Sequence, residues 1–591
     1  MQIHLTENAL KVLEVRYLRR DSNGQIIETP EELFRRVARS IAQAEAVFGG
    51  ATAAGWWEEA FLEALVSLDF LPNSPTLMNA GTPLGQLSAC FVLPVEDSLA
   101  DIFESLKLAA LIQQSGGGTG FSFSHLRPKG NLVASTGGAA SGPVSFMRIF
   151  DCATEHIRQG GKRRGANIGV LSVEHPDIEE FSDAKLDGSS LRNFNLSVAA
   201  SDSFMRAALA GQPCELRHPR TGQPVRSVSA ADLLDRISHA AWRTGDPGLI
   251  FPDAINRANP VPAAGPIEAT NPCGEVPLLP YEACNLASIN LSHMVRRNAE
   301  GAAVDWKKLA ATTQLALRFL DDVIEVGRWP APQIATVVQA NRKVGLGVMG
   351  FAELLILLGI PYASDRAVAL AEELMQCIAE HALAASERLA EERGVFHNWD
   401  RSFYAQQGRR VRNATRTSIA PTGTLSILAG TSASIEPLFA LAYRRRVLGE
   451  HTLVEFNPLF LQYAQQQGFY SERLAQELQR HGSLAAIADV PQTAKELFRT
   501  ALEIAPEDHL RVQAAFQKHV DNAVSKTINL PQMAAPEDVA AIYRRAWEAG
   551  LKGITVFRYG SKGQQVLELG AAESLEEREH SAKCDPHACK L

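Results

Sequence analysis

The segment Asn271-Pro272-Cys273-Gly274-Glu275 brings three chemically useful side chains together within one short loop. Proline favours an extended conformation for the residue before it, and glycine leaves space beside the thiol. The loop can therefore place the Cys273 sulfur between an amide and a carboxylate. An amide can position a hydroxyl group, a carboxylate can remove its proton, and a thiol can act through sulfur. A structural cysteine in a loop is the alternative, and these residues alone leave it open.

Four more cysteines form a pattern that suits a redox relay: Cys90, Cys284, Cys584 and Cys589. Cys284 lies eleven residues after Cys273, and the last two cysteines lie near the end of the sequence. A mobile dithiol can carry electrons to buried thiols by exchange. Most buried cysteines are inert, so a purely structural role is also open. The spacing of cysteine and histidine predicts no zinc site.

Two further motifs could approach a nucleotide. Thr415–Ala420 alternates like a strand and leads into a Gly/Thr/Ser turn that could open a helix at Pro421–Ser426. Backbone N–H groups there could cradle phosphate, although a capped turn would look the same. Gly345–Gly350 matches the dinucleotide fingerprint, but Asp365 opens a helix where an acidic residue should end a second strand. Close helix packing through glycine is the preferred interpretation of that motif.

Composition restricts the class of protein. The chain has 591 residues, of which 58 are basic and 66 acidic, for a net charge of −8. This charge argues against a nucleic-acid binder. The chain is 46% hydrophobic and 21% charged, as in globular proteins, and it contains no apolar run of the roughly 18 residues that a membrane span needs. The N-terminus carries no secretory signal, so we expect a cytoplasmic protein.

Local patterns predict the elements that must position these residues. Thr29-Pro30-Glu31-Glu32 predicts a capped helix start, and residues 364–394 predict one long helix between Ser364 and Gly394. Residues 115–120 and 160–165 are glycine-rich and predict loops that approach a ligand closely. Alternating strand-like and helical pieces between 410 and 560 predict an α/β fold. The last 30 residues are acidic and poor in apolar side chains, so we expect them to be mobile.

Taken together, the motifs resemble the catalytic chain of ribonucleotide reductase over about residues 70–560. The resemblance is carried, in family order, by Asn73–Gly81, Ser88–Cys90, Glu96–Leu99, Gly116–Gly120, Asn193–Val198, Asn271–Glu275, Gly345–Gly350 and Pro421–Ser426. It implies a ten-stranded α/β barrel at 71–560. Inside the barrel would lie a catalytic finger loop, Asn271–Glu275, with Cys273 at its tip. A small helical region at 1–70 would precede the barrel, and a flexible redox tail at 561–591 would follow it.

The resemblance also implies the chemistry, which is the reduction of ribonucleotides to 2′-deoxyribonucleotides for DNA synthesis. Cys273 would form a thiyl radical that takes the 3′ hydrogen of the substrate. Glu275 would remove the 3′-hydroxyl proton, and Asn271 would hold the hydroxyl. Cys90 and Cys284 would supply two electrons and end as a disulfide. The positions implied to contact substrate are Ser74, Ala89, Cys90, Gly118, Asn271, Glu275, Pro421, Thr422, Gly423, Thr424, Leu425 and Ser426.

Sequence features distinguish between the classes of this family. None of the nine tyrosines adjoins another, whereas the aerobic two-subunit class relays its radical through a tyrosine pair. Glu275 is present and no glycyl-radical motif occurs, which disfavours the glycyl-radical class. Leu551–Ser561 resembles the adenosylcobalamin-dependent class, so adenosylcobalamin is the expected cofactor. A dimeric enzyme with this phosphate turn favours diphosphates over triphosphates as substrates. The alternatives are the large subunit of a metal-radical reductase, which needs a partner subunit, and a non-catalytic nucleotide-binding regulator, which should have lost a chemical group.

The resemblance further implies partners. A deoxynucleoside triphosphate effector would bind at the interface of a homodimer, and thioredoxin or a similar protein would reduce Cys584 and Cys589. The N-terminal region is too short for the usual ATP-cone domain, so we expect no overall control by ATP and dATP. No nucleic acid or membrane is expected as a partner. For the basic residues 162–164, a solvated loop is the alternative. The full set of expected effector residues consists of Asp97, Ser98, Leu99, Arg127, Lys162, Arg163 and Arg164.

Overall fold

The computed structural model of the protein describes residues 3–133, 137–159, 163–299, 301–447, 451–561 and 568–569. The chain begins with helix Glu7–Val12, a π-helical turn at Leu13–Tyr17 and the long helix Pro30–Val66. The predicted capping box is present, since Thr29 accepts from the Glu32 backbone and Glu32 accepts from the Thr29 backbone. Gly50, with a φ of 76°, breaks the long helix into two parts.

Ten strands form one sheet. In chain order they are β1 Phe70–Pro72, β2 Cys90–Leu93, β3 Gly118–Ser122, β4 Asn167–Ser172, β5 Phe194–Ala199, β6 Gly248–Ile250, β7 Ala283–Asn290, β8 Val344–Met349, β9 Thr527–Leu530 and β10 Gly553–Arg558.

The sheet consists of two sets of parallel strands, and antiparallel pairs join one set to the other. Strands β2 to β6 pair in parallel one after another, and β6 then pairs antiparallel with β10. On the other side β2 pairs antiparallel with β7, β7 pairs in parallel with β8, and β9 pairs in parallel with β10. Strand β1 pairs with β7 beyond the end of β2.

The ring closes through residues 415–420, which lie between β8 and the segment that leads into β9. Leu346 bridges Thr417, and Ile419 bridges Val524, both in parallel. The predicted ten-stranded α/β barrel is confirmed. An α/β barrel forms because strands buried on both faces need helices outside and apolar side chains within.

The barrel interior has its own apolar cluster, separate from the main core between sheet and helices. It contains Val92, Ile168, Val170, Ile250 and Leu278, together with the thiol-bearing Cys90 and Cys284.

Helices pack on the outside of the sheet in the main core, whereas Pro458–Gln466, Glu472–His481 and Gln492–Leu497 form a separate apolar cluster with Leu438 and Leu441. Their bounds are Ser74–Asn79, Leu99–Gln114, Pro143–His156, Ile178–Asp183, Asp202–Leu209, Ala230–Thr244, Pro252–Arg257, Trp306–Val326, Pro332–Asn341, Phe351–Leu357, Asp365–Arg393, Phe403–Gln406, Leu425–Ala429, Pro458–Gln466, Glu472–His481, Gln492–Leu497, Pro506–Gln517 and Pro536–Glu548. Among the residues described, no helix combines the length and apolar character needed to cross a bilayer.

Short β-ribbons lie in the connections between the main strands and helices. They are Leu132–Val133 with Gly138–Ala139, Arg158–Gln159 with Arg163–Arg164, Pro213–Arg217 with Pro224–Ser229, Ala269–Thr270 with Pro277–Leu278, Val295–Asn298 with Gly301–Val304, and a three-stranded group of Ala442–Val447, His451–Phe456 and Glu568–Leu569.

Two glycine motifs differ from their sequence interpretation. Gly118 to Gly120 belong to strand β3 rather than to a ligand-binding loop. Gly345 and Gly347 belong to β8, where an added Cβ atom on either would run into Ser418. The second motif therefore allows close packing of a strand on its neighbour, and the expected helix packing was wrong.

Candidate active site

The loop with Cys273 is the tip of a hairpin formed by Ala269–Thr270 and Pro277–Leu278. Asn271 holds the tip closed, because its side-chain oxygen accepts from the Val276 N–H at 3.0 Å and its carbonyl accepts from the Gly274 N–H at 3.0 Å. Gly274 has a φ of +84° and open space around its missing side chain. Glycine is therefore needed for the left-handed turn and not, as the sequence had suggested, to clear space beside the thiol.

Strand β3 makes room for this hairpin inside the barrel. A Cβ atom on Gly118 would lie 2.9 Å from the Pro272 ring, and one on Gly120 would overlap the Thr270 carbonyl oxygen. Alternate residues of a strand face the same side, so both glycines lie under the hairpin. Gly118 and Gly120 thus accommodate the protein's own finger loop.

Three further contacts fix the tip from the other walls of the barrel. The Asn195 side chain on β5 donates to the Pro272 carbonyl at 2.8 Å. The Glu275 carbonyl accepts from the Ser418 hydroxyl and from the Ala523 N–H, each at 2.9 Å. Sequence reasoning assigned no role to Asn195 and Ser418, although both belong to segments that it had singled out.

Cys90 and Cys284 face each other across paired strands. They are directly opposite in the antiparallel pairing of β2 with β7, and both are buried. Opposite residues of antiparallel strands have Cβ atoms about 4.5–5.5 Å apart, which is close to disulfide geometry. The Asn271 amide donates to the Cys90 sulfur at 3.1 Å, so the finger loop contacts this pair directly.

Burial raises the pKa of the Cys284 thiol well above its usual range, and the neighbouring carboxylates of Glu275 and Glu282 raise it further. Lys343 opposes that effect and forms a fully buried ion pair with Glu282 at 2.6 Å. Cys284 is therefore a protonated thiol at neutral pH, which suits a donor of hydrogen rather than a nucleophile.

A cavity of about 1600 Å³ opens onto the finger tip, and Cys273 and Gly274 form part of its lining. Cys273 is exposed there, whereas Asn271 and Glu275 are each only 2% exposed. The loop thus presents its sulfur to the cavity and keeps the amide and the carboxylate inside the barrel.

The segment expected to hold phosphate lines the same cavity through Pro421, Gly423 and Ser426. The predicted helix is present from Leu425 to Ala429, and residues 421–424 form the turn before it. Thr422 has a φ of 50°, and its hydroxyl accepts from the Ser434 N–H at 2.7 Å. The Thr424 hydroxyl faces the Arg16 guanidinium at 3.2 Å.

Three other expected substrate positions lie near these groups. The Ala89 N–H donates to the Cys284 carbonyl at 3.3 Å, and the Gly118 N–H donates to the Ala89 carbonyl at 2.8 Å. Ser74 begins helix Ser74–Asn79, and its hydroxyl bonds to the Tyr17 hydroxyl at 2.7 Å.

The expected effector residues lie elsewhere on the molecule. Arg127 forms an ion pair with Asp97 at 2.9 Å, Ser98 caps helix Leu99–Gln114, and Leu99 is 64% exposed. Arg163 and Arg164 form one side of a short ribbon. Lys162, Cys584 and Cys589 lie outside the described residues.

His125 connects the effector segment to the base of the finger hairpin. Its two ring nitrogens contact Glu96 at 3.2 Å and Glu268 at 2.9 Å. A hydrogen bond and charge attraction from Glu268, with a smaller contribution from Glu96, raise the pKa of His125 to about 9 against the cost of burial. Nothing in the sequence marked this residue, since its two partners are far apart along the chain.

Two family models match the chain. The model described as the ribonucleotide reductase barrel domain matches residues 88–557, and the model described as the ribonucleotide reductase all-alpha domain matches residues 3–85.

Individual proteins agree with these matches. The chain is 52% identical to a protein of Mycobacterium tuberculosis (strain CDC 1551 / Oshkosh) named vitamin B12-dependent ribonucleoside-diphosphate reductase, over 100% of this chain and 85% of that protein. It is 48% identical to a protein of the same name from Thermoplasma acidophilum, over 98% of this chain and 82% of that protein. Among solved structures, it resembles the alpha subunit of an Actinobacillus ureae class Id ribonucleotide reductase, with a TM-score of 0.77, 25% identity, and coverage of 94% of this chain and 97% of that chain.

Proposed function

The chain belongs to the ribonucleotide reductase family, and from this premise we propose that it reduces ribonucleoside diphosphates to 2′-deoxyribonucleoside diphosphates by adenosylcobalamin-dependent radical chemistry. The observation that carries the proposal is the finger loop. It presents Cys273 to a large cavity while Asn271 reaches Cys90, which faces Cys284 across the strands.

The cavity suits two large ligands. Its volume of about 1600 Å³ exceeds the roughly 300–1,000 Å³ of ordinary small-molecule pockets. Its lining includes apolar side chains that suit the faces of a corrin ring: Leu357, Leu438, Phe439, Leu459 and Phe557. These residues would hold the cofactor, and Cys273 lies in the lining of the same cavity. Adenosylcobalamin, when bound, supplies the one-electron chemistry that starts the reaction, which side chains alone do not provide.

The side chains then divide the reaction between them. The Cys273 sulfur, having lost its hydrogen atom, takes the hydrogen from C3′ of the ribose. Glu275 accepts the 3′-hydroxyl proton, and Asn271 holds the oxygen by hydrogen bonding. The 2′-hydroxyl leaves as water with a proton from the Cys90 and Cys284 pair. That pair gives up two electrons and two protons in all, one proton to the leaving water and one with the electrons to C2′, and becomes a disulfide. Glu275 returns its proton to the 3′ oxygen, and Cys273 returns its hydrogen to C3′.

Burial serves this chemistry because a radical must be kept from water and from other oxidisable groups. The barrel encloses Cys90, Cys284, Asn271 and Glu275, each at most 3% exposed. Reduction of the nucleotide would therefore take place beside two buried thiols, and Cys273 lines the cavity through which a ligand can approach.

An experiment with the purified chain tests this function. Adenosylcobalamin, a ribonucleoside diphosphate, a small dithiol and a deoxynucleoside triphosphate should together give deoxyribonucleotide. Rapid freezing should trap a cob(II)alamin signal coupled to a thiyl radical. Activity that appears only after a metal-loaded partner subunit is added would favour the large subunit of a metal-radical reductase instead.

Regulation and assembly complete the proposal. The Asp97–Arg127 pair at the start of helix Leu99–Gln114 would bind a deoxynucleoside triphosphate effector. The same helix exposes Leu99, Phe103 and Leu111. Exposed apolar side chains in a row suit a protein interface, which supports a homodimer with the effector at its edge. Lys162 to Arg164 would carry the effector signal toward the substrate, and Cys584 with Cys589 would pass electrons from thioredoxin.

A further inference from the structure

Arg16 reaches the active-site cavity from outside the barrel. It lies on the π-helical turn Leu13–Tyr17, before the first barrel strand, and its exposed side chain forms part of the cavity lining. One guanidinium nitrogen donates to the Thr424 hydroxyl at 3.2 Å. The N-terminal helices thus bring a positive charge to the turn expected to hold the substrate phosphates.

That charge is distinctive among the groups around the cavity. Within the described part of the chain, the cations in its lining are Arg16 and Lys526. The Lys526 ammonium is fully buried, forms an ion pair with Glu436 and contacts the His509 ring. Arg16 forms no ion pair with any carboxylate among the described residues, so its charge is available to a ligand.

The carboxylates among the described lining residues form no ion pair with Arg16. Asp246 is paired with Lys185 at 2.8 Å, and Glu436 is paired with Lys526. Glu353 accepts from the Thr431 hydroxyl at 3.0 Å, and Glu7 is exposed at the start of helix Glu7–Val12. The turn at Pro421–Ser426 offers hydroxyl and backbone donors but contains no charged side chain. A nucleoside diphosphate that enters this cavity therefore needs a counter-charge from another part of the chain.

We propose that Arg16 binds the terminal phosphate of the nucleotide substrate beside Thr424 and so sets the preference for phosphorylated nucleosides. The inference rests on the proposed function, since it takes Pro421–Ser426 as the phosphate turn. A guanidinium has five donors in a fixed fork that matches phosphate oxygens, and only one of them is used by Thr424. Arg16 is a specificity-determining residue in this proposal and takes no part in the radical steps.

The turn that carries Arg16 is anchored at both sides. The adjacent Tyr17 is 2% exposed and bonds through its hydroxyl to the Ser74 hydroxyl at 2.7 Å. Helix Glu7–Val12, just before it, packs against helix Leu425–Ala429, just after the phosphate turn. A single N-terminal segment therefore holds Arg16 in a defined position between two sites where substrate contact is expected.

Equilibrium binding separates this role from a structural one. Cytidine diphosphate and cytidine would be measured on the cofactor-free full chain as wild type, Arg16→Gln, Arg16→Lys and the control Arg19→Gln, whose exposed side chain is absent from the cavity lining. Arg16→Gln should weaken cytidine diphosphate about 10- to 100-fold, as expected for loss of a charged hydrogen bond, and leave cytidine unchanged. Arg16→Lys should recover part of the affinity, and Arg19→Gln should match wild type.

Steady-state kinetics with adenosylcobalamin give a second readout. For Arg16→Gln the loss should appear in KM rather than in kcat, because the contact is the same in the ground state and the transition state. Equal affinity of wild type and Arg16→Gln for cytidine diphosphate, or equal weakening of cytidine and its diphosphate, would overturn the inference. Failure of the wild type itself to bind or reduce cytidine diphosphate would instead overturn the proposed function.

Discussion

Cys273 differs from its loop neighbours in what it can reach. Its sulfur is exposed to the cavity, whereas Asn271 and Glu275 are buried within the barrel. A side chain that must react with a cofactor bound in the cavity needs such exposure, whereas Asn271 and Glu275 would meet only the ribose hydroxyl that a bound substrate brings to the loop. The exposure of Cys273 and the burial of its two neighbours thus agree with their different proposed roles.

Replacement of Cys273 by serine should therefore separate binding from chemistry. Serine keeps the size of the side chain but holds its hydrogen too strongly for transfer to a carbon-centred radical. Cys273→Ser should bind cytidine diphosphate like wild type, yet neither reduce it nor remove its 3′ hydrogen. Cys377→Ser is the matched control, since Cys377 is half-buried on the outer helix Asp365–Arg393. Turnover of Cys273→Ser at the wild-type rate would rule out the assigned role.

The bridge made by His125 should give the fold a measurable pH dependence. The pKa of His125 is about 9 in the folded protein and about 6.5 in an unfolded chain. A raised pKa stabilises the fold fully below the unfolded value, and this contribution is lost as the pH rises through the folded value. His125→Gln should therefore lower Tm most near pH 6, which is about half a pH unit below the unfolded pKa. The effect on Tm should be least near pH 10, which is about one pH unit above the folded pKa. A Tm difference that stays constant across this range would contradict the bridge.

At the scale of elements, the glycines of β3 show how a strand can be shaped by a distant segment. Gly118 and Gly120 have no side chains because the hairpin at 269–278 occupies that space. From sequence, a run of glycines predicts a loop, and nothing local says that another part of the chain fills the gap. The prediction of a ligand-binding loop at residues 115–120 was therefore wrong, because the hairpin fills the space that it assigned to a ligand.

A substitution of Gly120 tests this packing. A methyl group there must displace the Thr270 carbonyl and with it the base of the finger loop. Gly120→Ala should lose most activity, by at least about 100-fold, since small displacements of reacting groups have effects of that size. The control Gly55→Ala lies in a helix with open space around it and should raise the free energy of unfolding by roughly 0.5–1 kcal/mol. Full activity of Gly120→Ala would show that the hairpin does not depend on this contact.

Features set by neighbouring residues could be predicted, and features set by long-range packing could not. The capping box at Thr29 and the helix between Ser364 and Gly394 follow from local hydrogen bonds, and both were predicted. The convergence of Asn271 on Cys90 joins residues 181 positions apart, and only the family resemblance implied it. The contacts of Asn195 and Ser418 with the finger tip had no signal of their own, because polar residues in strands have many uses.

At the scale of the whole molecule, a buried ionic cluster joins the N-terminal helices to the barrel helices. Glu45 on helix Pro30–Val66 contacts Arg318 at 2.5 Å and Arg393 at 2.6 Å. Arg393 in turn contacts Asp321 at 2.9 Å and Asp322 at 2.6 Å. Burial would raise the pKa of Asp321, but the surrounding guanidinium groups lower it to about 2. Asp321 therefore remains charged over the physiological range, whereas burial, with the nearby carboxylates of Glu45 and Asp321, raises the pKa of Asp322 well above its usual value.

Removal of one member should cost much more than removal of an exposed pair. Glu45→Gln leaves two buried guanidinium groups short of a partner and should lower the free energy of unfolding by about 3–5 kcal/mol. Arg35→Gln breaks an exposed pair with Glu59 on the same helix and should cost less than about 1 kcal/mol. Urea denaturation of both variants checks the difference. Similar losses in the two would mean that the cluster does not hold the helices to the barrel.

Electron supply is also a property of the whole molecule. In the proposed reaction each turnover would leave Cys90 and Cys284 oxidised, and both are buried inside the barrel, away from a protein reductant. We propose that Cys584 and Cys589 exchange with that disulfide and are then reduced by thioredoxin. The double variant Cys584→Ser, Cys589→Ser should stop after about one turnover with thioredoxin, yet continue with a small dithiol that diffuses in. Equal steady-state rates with thioredoxin would exclude the relay.

The way the ring closes has a consequence for the newly made protein. Strands β2 to β6 can pair as soon as they leave the ribosome, but the Glu275 carbonyl waits for Ala523, and β6 waits for β10. Contacts between such distant parts of a chain form late and slowly. Until residue 558 has been synthesised, the finger loop lies in an open trough without its far wall. In the proposed reaction, a thiyl radical on Cys273 would therefore be sheltered only after the last strand has joined the barrel.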